Sequence, residues 1–263
     1  MLQTQALKVV LDAEAGLLKA IDGLSLAVER GETFALVGES GCGKSMTALA
    51  LMRLLPENAR VIGGDVHLGQ DSLLDLPESA MRRVRGARVA MIFQEPATSL
   101  NPVMRVGDQI LETIQTHTAL RGRTAQAKAI DWLTRAGLPE PARCMDRYPF
   151  ELSGGQKQRV MIAIALGAEP DFLVADEPTT ALDVTIQKQI LSLLQRLQRE
   201  RGLSYLLITH DVEVVAAMAH DIIVMKDGDI VESGTALQVL QSPRHDYTRA
   251  LLAAVPARAV IKA

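Results

Sequence analysis

GETFALVGESGCGKSMTALA, Gly31 to Ala50, is the stretch that decides the fold. Its first part is a short apolar run that ends in glycines, the mark of a buried strand rather than a helix. SMTALALMRLL, Ser45 to Leu55, then continues as a helix. Strand, glycine-rich loop and helix in that order form the supersecondary unit of nucleotide-binding α/β folds. The loop itself, Gly38-Glu39-Ser40-Gly41-Cys42-Gly43-Lys44-Ser45, matches GxxxxGK[ST]. Glycines let the backbone wrap phosphate oxygens and aim amides at them. Lys44 brings a point charge to the β- and γ-phosphates, and the Ser45 hydroxyl suits Mg²⁺. A chance glycine-rich turn has the same letters but not the strand before it and the helix after it. ATP and Mg²⁺ are the ligands this pattern predicts.

Outward from the loop, LKVVL (7–11) and LSLAV (24–28) read as strands of a small antiparallel unit. VAMIFQ (89–94) is a further buried strand, and from Glu95 to about Ala165 the pattern is mainly helical. FLVADE (172–177) and YLLITHD (205–211) are apolar strands ending in acids or His, with a helix over 186–202 between them. IIVMKDG and DIVESG form a hairpin around Asp227-Gly228. This alternation predicts a mostly parallel sheet flanked by helices. Gly38, Gln94, Asp176 and His210 stand at strand ends, along the edge where ligands bind in such sheets.

Composition narrows the class. The 263 residues are 48% hydrophobic and 22% charged, which suits a soluble globular chain with a sizeable core. Aromatics at 3% leave that core to aliphatic residues, and a net charge of -3 argues against a general nucleic-acid binder. The basic run MRRVRGAR (81–88) has no interleaved aromatics and reads as a solvated helix face. Cys42 and Cys144 lie far apart without metal-ligand spacing, which predicts a reducing compartment. The N-terminus does not read as a signal peptide, and the longest apolar stretches, such as VMIAIALGA (160–168), fall short of the ~18 residues a membrane span needs. Any membrane attachment is therefore expected through a partner.

Two further motifs carry chemistry. Asp176 closes the strand of FLVADE, placed to hold the water shell of Mg²⁺, and Glu177 can accept a proton from an attacking water. General-base work of that kind contributes ~10²–10⁴ in rate. Seen alone, an acidic pair at a strand end is more often a cap; downstream of a phosphate loop the catalytic reading wins. LSGGQ, Leu152 to Gln156, sets Ser153 and two glycines directly before the helix KQRVMIAIAL. This is either a plain serine N-cap or a second anion cradle made of helix N-terminal amides. Two phosphate cradles on one chain suggest that two chains sandwich nucleotide, each lending its cradle to the other.

Taken together, GESGCGKS, Gln94, LSGGQ, FLVADEPTTALD and His210 resemble the ordered motif series of the ATP-binding-cassette family. The resemblance implies a P-loop NTPase core with an N-terminal antiparallel β subdomain and an inserted helical subdomain. It implies a single domain over 1–263, with the nucleotide core in 1–94 and 166–240, the helical subdomain in 95–165 and a tail in 241–263. Carried over residue by residue, it makes Glu177, His210 and Gln94 catalytic, with Gln94 coupling lid to nucleotide and His210 at the γ-phosphate. Nucleotide contacts are implied for Gly38, Glu39, Ser40, Gly41, Cys42, Gly43, Lys44 and Ser45, and for Ser153, Gly154, Gly155, Gln156 and Asp183. Mg²⁺ contacts are implied for Ser45, Gln94 and Asp176.

FQEPATSLNPVMRVGDQI (93–110), YPFELSGG (148–155) and HDYTRALLAAVP (245–256) look like segments of the oligopeptide, dipeptide and nickel importers of that family. The finer resemblance implies a second ATPase subunit (self or paralogue), two transmembrane permease subunits and an extracytoplasmic substrate-binding protein. It also implies a peripheral place on the cytoplasmic face of the inner membrane and a cargo of peptide, nickel or metal chelate. Two departures stand out. A leucine, near Leu11, occupies the place of the family's adenine-stacking aromatic, and the chain stops at Ala263 without the cysteine-bearing tail of many peptide importers. The second departure fits a short nickel-type or metallophore-type subunit, or a truncated chain. Non-transport cassettes of DNA repair or translation usually carry a coiled-coil insertion or paired cassettes, and phosphate-loop kinases have no place for LSGGQ.

Overall fold

The computed structural model describes residues 1–14, 16–179 and 182–254. Thr180 and Ala181 of FLVADEPTTALD and the Val255-Pro256 end of HDYTRALLAAVP lie outside the described residues, as does the tail from 255 onward. The chain forms two compact units, one of Met1–Met81 with the described residues from Ser204 on, the other of Arg82–Leu203.

In the first unit, β1 (Leu2–Ala13) and β2 (Gly16–Val28) pair antiparallel and are much longer than the two five-residue runs the sequence suggested. A bulge at Ala6, with φ 46°, breaks the register between Thr4 and Leu7. Ser25 Oγ accepts from the Ala6 N–H at 2.9 Å and pins the bulge. Next come β3 (Thr33–Val37), α1 (Lys44–Leu51), β4 (Ala59–Leu68) and β5 (Asp71–Ser72). β4 joins the other edge of β1, giving the antiparallel order β2-β1-β4-β5. The helix predicted to run to Leu55 stops at Leu51, because Arg53 turns left-handed at φ 51° and Pro56 follows.

α2 (Glu78–Val84) leads toward the second unit and exposes Arg82 and Arg83, the solvated basic face expected of it. That unit holds β6 (Val89–Ile92), α3 (Pro96–Ser99), α4 (Val106–His117), α5 (Gly122–Arg135), α6 (Pro141–Cys144), α7 (Gly154–Leu166), β7 (Phe172–Asp176) and α8 (Val184–Arg201). β6 and β7 pair in parallel, and every residue of both is buried, the continuous apolar pattern of a two-sided strand. β6 ends at Ile92, two residues short of the predicted Gln94. α8 buries Ile190, Leu193, Leu194 and Leu197 along one stripe. It ends where Gly202, at φ 64°, returns its N–H to Gln198 O. Trp132 on α5 is buried under Lys128, Arg135 and Arg201, whose charged groups lie 5.2–5.9 Å from its ring; Glu169 pairs with both Lys128 and Arg201.

The chain then re-enters the first unit as β8 (Ser204–Ile208), α9 (Val212–Met218), β9 (Asp221–Lys226), β10 (Asp229–Thr235), α10 (Ala236–Gln241) and α11 (Asp246–Ala253). β3 is flanked in parallel by β8 and β9, and β10 returns antiparallel on β9. The expected hairpin turn has both central residues at positive φ, Asp227 at 51° and Gly228 at 85°, as a two-residue type I′ turn requires. Among the described residues no helix is long and apolar enough to cross a membrane. Cys42 and Cys144 are both buried free thiols, and burial pushes the Cys144 thiol upward.

Candidate nucleotide site

In the first unit the phosphate loop leaves β3 at Gly38. A β-carbon there would stand 2.3 Å from Met225 O and 2.7 Å from Cys42 Sγ, so only glycine fits. Gly43, at φ 105°, is just as constrained: its β-carbon would meet Ala20 O at 2.2 Å. Lys44 is 95% buried, and its ammonium folds back into its own loop, donating to Gly38 O and Glu39 O at 2.8 Å each. Gly43 caps α1 without a side-chain bond, so the first turn presents its amides to an incoming anion. Glu39, Ser40 and Gly41 are exposed, and Ser45 is half-buried at the helix start.

β3 and β8 are in register with Leu36 opposite Ile208, which puts Gly38 and His210 two residues on, at the carboxyl ends of neighbouring strands. His210 is exposed there, and the next residue, Asp211, caps α9 by accepting from the Glu213 and Val214 amides. Near the expected adenine-stacking position, Leu11 pairs across the strand with Leu18. Leu17 and Leu18 are 64% and 56% exposed, an aliphatic surface three residues up β2 from Ala20.

The second unit repeats the register argument. Ile92 lies opposite Ala175, so Gln94 and Glu177 leave adjacent parallel strands together. Gln94 Nε2 donates to Glu177 Oε2 at 3.0 Å. Glu177 itself sits at φ 48°, a left-handed conformation that a non-glycine residue adopts at a cost of order 1–3 kcal/mol. Asp176, the last residue of β7, is 96% buried. Among the described residues no group of three or more His, Cys, Asp or Glu could hold a metal ion. Mg²⁺ takes one or two carboxylates and completes its shell with water and phosphate.

LSGGQ begins α7 as the N-cap reading requires. Ser153 Oγ accepts from the Gln156 N–H at 3.3 Å, and Gln156 Oε1 accepts from the Ser153 N–H at 3.1 Å. A β-carbon on Gly154 would meet nothing within 4 Å, and one on Gly155 only ordinary contact at 3.4 Å. Neither glycine is required by local packing. Asp183 caps α8, accepting from the Thr185 and Ile186 amides at 3.0 and 2.9 Å.

One residue of this site was missed by sequence reasoning. Gln158, 99% buried on α7, donates to Pro178 O at 2.6 Å, tying the LSGGQ helix to the backbone beside Glu177.

The family profile described as "ABC transporter" matches residues 21–180, which include the phosphate loop, Gln94, LSGGQ and the Asp176-Glu177 pair. The chain belongs to the ABC transporter family. Relatives of this ABC chain include the glutathione import ATP-binding protein GsiA of Escherichia coli (strain K12). It is 51% identical over 251 residues, spanning 93% of this chain and 40% of that protein. The GsiA protein of Pectobacterium atrosepticum is 49% identical over 265 residues, 97% of this chain and 42% of that one. The ABC chain thus spans about two-fifths of the length of these curated relatives. Among solved structures, the dimeric post-hydrolysis state of the ATP-binding cassette MJ0796 bound to ADP and Pi superposes with a TM-score of 0.81 and 27% identity. It covers 90% of this chain and 99% of that one. The cbiO1 cassette of Clostridium perfringens, part of the cbiONQ transporter complex, gives a TM-score of 0.76 at 25% identity over 98% and 96% of the two chains.

Proposed function

We propose that this chain binds and hydrolyses ATP to drive an importer whose cargo is a small peptide of the glutathione kind. The observation that carries the nucleotide reading is Lys44, buried within its loop at an open helix N-terminus. On nucleotide binding the ammonium exchanges the Gly38 and Glu39 carbonyls for phosphate oxygens. The cargo reading rests on identity of about half with proteins named for glutathione import. Nickel and metal chelates have no such support.

In this reading Glu177 takes the proton from the attacking water, and Gln94, already bonded to it, orients that carboxylate. The family resemblance gives Ser45, Gln94 and Asp176 as the residues that would hold Mg²⁺, which would supply charge neutralisation at the phosphates. His210 contacts the γ-phosphate. Ser153 with Gly154 and Gly155 forms a cradle for nucleotide bound by a second cassette, and Asp183 faces that cassette. The open surroundings of both glycines support this arrangement. The subdomain scheme 1–94 with 166–240, 95–165 and 241–263 stands as part of the same proposal. Two permease subunits and an external binding protein complete the transporter, which places the chain at the inner face of the membrane.

Lys44→Ala tests the core of this reading. Hydrolysis is expected to collapse while circular dichroism and the melting transition stay near wild type. Near-normal turnover in the variant would remove the phosphate-loop assignment. Co-purification from the native membrane tests the importer reading: recovery without hydrophobic permease subunits would overturn it.

A further inference from the structure

The phosphate loop is held from outside by the last described helix. α11 is first fixed to β10, where the Glu232 carboxylate accepts from the Arg244 and His245 amides at 2.7 and 3.0 Å. His245 Nδ1 then caps the helix by accepting from the Tyr247 N–H at 3.1 Å. One turn apart on α11, Tyr247 and Leu251 pack on the core cluster that contains Ala35, Val37 and Val224. Val37 is the residue before the loop. Lys226 Nζ stands 5.2 Å from the centre of the Tyr247 ring.

The hydroxyl of Tyr247 accepts from the Glu39 N–H at 3.0 Å. The adjacent hairpin turn supplies a second hold, the Gly228 N–H on Cys42 O at 3.2 Å. Between these holds Ser40 and Gly41 remain exposed. The Glu39 bond matters because Lys44 Nζ rests on the carbonyl of that same residue. Fixing the Glu39 amide therefore orients the residue whose carbonyl receives the ammonium.

We propose that α11 braces the phosphate loop and that Tyr247 is a positioning residue, presetting Glu39 and through it Lys44 for the triphosphate. The inference rests on the nucleotide reading above. Burial pushes the phenol upward, so the hydroxyl stays protonated over the working range and keeps a lone pair for the amide. The bond joins residues 208 positions apart, and no motif of the loop itself contains it.

The test is Tyr247→Phe in the full chain, with MgATP affinity, steady-state kinetics and nucleotide-free melting measured together. Phe keeps the ring, its packing and the Lys226 contact, and loses only the hydroxyl that accepts from Glu39. A neutral hydrogen bond of this kind corresponds to a rise of about three- to tenfold in Kd. The expected result is that rise in Kd and KM, kcat within about twofold at saturation, and a melting midpoint within about 4 °C of wild type. Leu251→Ala, on the same helix and core but away from the loop, is expected to lower the midpoint and keep Kd within about twofold. Wild-type affinity in Tyr247→Phe would overturn the brace. An equal loss of affinity in both variants would overturn the role of the hydroxyl. Absence of MgATP binding in the wild type would instead overturn the nucleotide reading, a separate outcome.

Discussion

Glu177→Gln separates binding from chemistry. Gln has the same unbranched shape as Glu, so it fits the left-handed backbone at φ 48° with no new strain. In the native site Gln94 Nε2 donates to the Glu177 carboxylate at 3.0 Å. Bonds to a charged partner contribute ~1.5–3 kcal/mol and neutral ones ~0.5–1.5, so between mid-range values the exchange costs about 1–1.5 kcal/mol. Gln94 is exposed and Glu177 half-buried, and solvent reduces that figure further. The chemical loss is larger. A general base contributes ~10²–10⁴ in rate, or about 3–5 kcal/mol of barrier. The variant should therefore melt within about 4 °C of wild type, bind MgATP with wild-type affinity, and hydrolyse it at least about 100-fold more slowly. Binding without turnover should accumulate closed pairs of cassettes, seen as a shift to dimer in size exclusion with light scattering. A chain that pairs only with a paralogue needs that partner, so the measurement is made alone and with it. Hydrolysis within threefold of wild type, or no dimer in either arrangement, refutes the reasoning.

Three further outcomes are expected. Adding Ser153→Arg to Glu177→Gln puts bulk and charge into the cradle beside Gly154 and should abolish the dimer shift while MgATP binding at the loop persists; an undiminished shift would sink the composite site. Gln158→Leu leaves the Pro178 carbonyl without its donor and should lower stability by ~1–3 kcal/mol in denaturant unfolding, so a midpoint equal to wild type would show the bond to be idle. Burial holds the His117 imidazole below its ordinary value, beside Gly86. Below about pH 6.5 the unfolded chain takes up a proton that the folded chain resists, so stability falls with pH there. His117→Gln should flatten that part of the unfolding profile, and a wild-type slope in the variant would exclude His117 as its source.

The phosphate loop was legible because its glycines answer to backbone geometry: Gly38 and Gly43 lie against carbonyl oxygens that forbid a β-carbon. β7 and β8 were legible because strands buried on both faces read as unbroken apolar runs. β4 escaped notice because Gly63-Gly64 interrupts its alternation. The structure explains the interruption: a β-carbon on Gly64 would stand 2.4 Å from Ala6 O, where β1 bulges. The end of α1 was misjudged because Met52, Leu54 and Leu55 keep the apolar content of a helix after Arg53 has turned the backbone away. Gln158 was hidden in the polar run Gln156-Lys157-Gln158-Arg159, which reads as the solvated start of a helix although Gln158 and Arg159 are buried. Tyr247 stood inside a segment legible only by resemblance, and its bond to Glu39 crosses 208 positions, a separation no local pattern spans.

Within the second unit, two independent contacts converge on adjacent residues. Gln94, leaving β6, bonds the side chain of Glu177, and Gln158, on the LSGGQ helix, bonds the carbonyl of Pro178. Between those two contacts the backbone of Glu177 is strained, and strain of this kind persists only where surrounding bonds over-determine the conformation. The two glutamines supply that determination from two directions. A displacement of α7 would pull on Pro178 and shift the carboxylate beside it. Loss of the Gln94 bond would release the same segment from the other side. Coupling of this sort runs both ways, since a bond that transmits position from α7 to Glu177 transmits it back. In the proposed reading, the Glu177 carboxylate and the helix that begins at LSGGQ are thus two ends of one short segment. Gln158→Leu should accordingly alter turnover as well as stability, by loosening the far end of the segment that aims Glu177. Turnover per folded molecule equal to wild type in that variant would show that the two ends are mechanically separate.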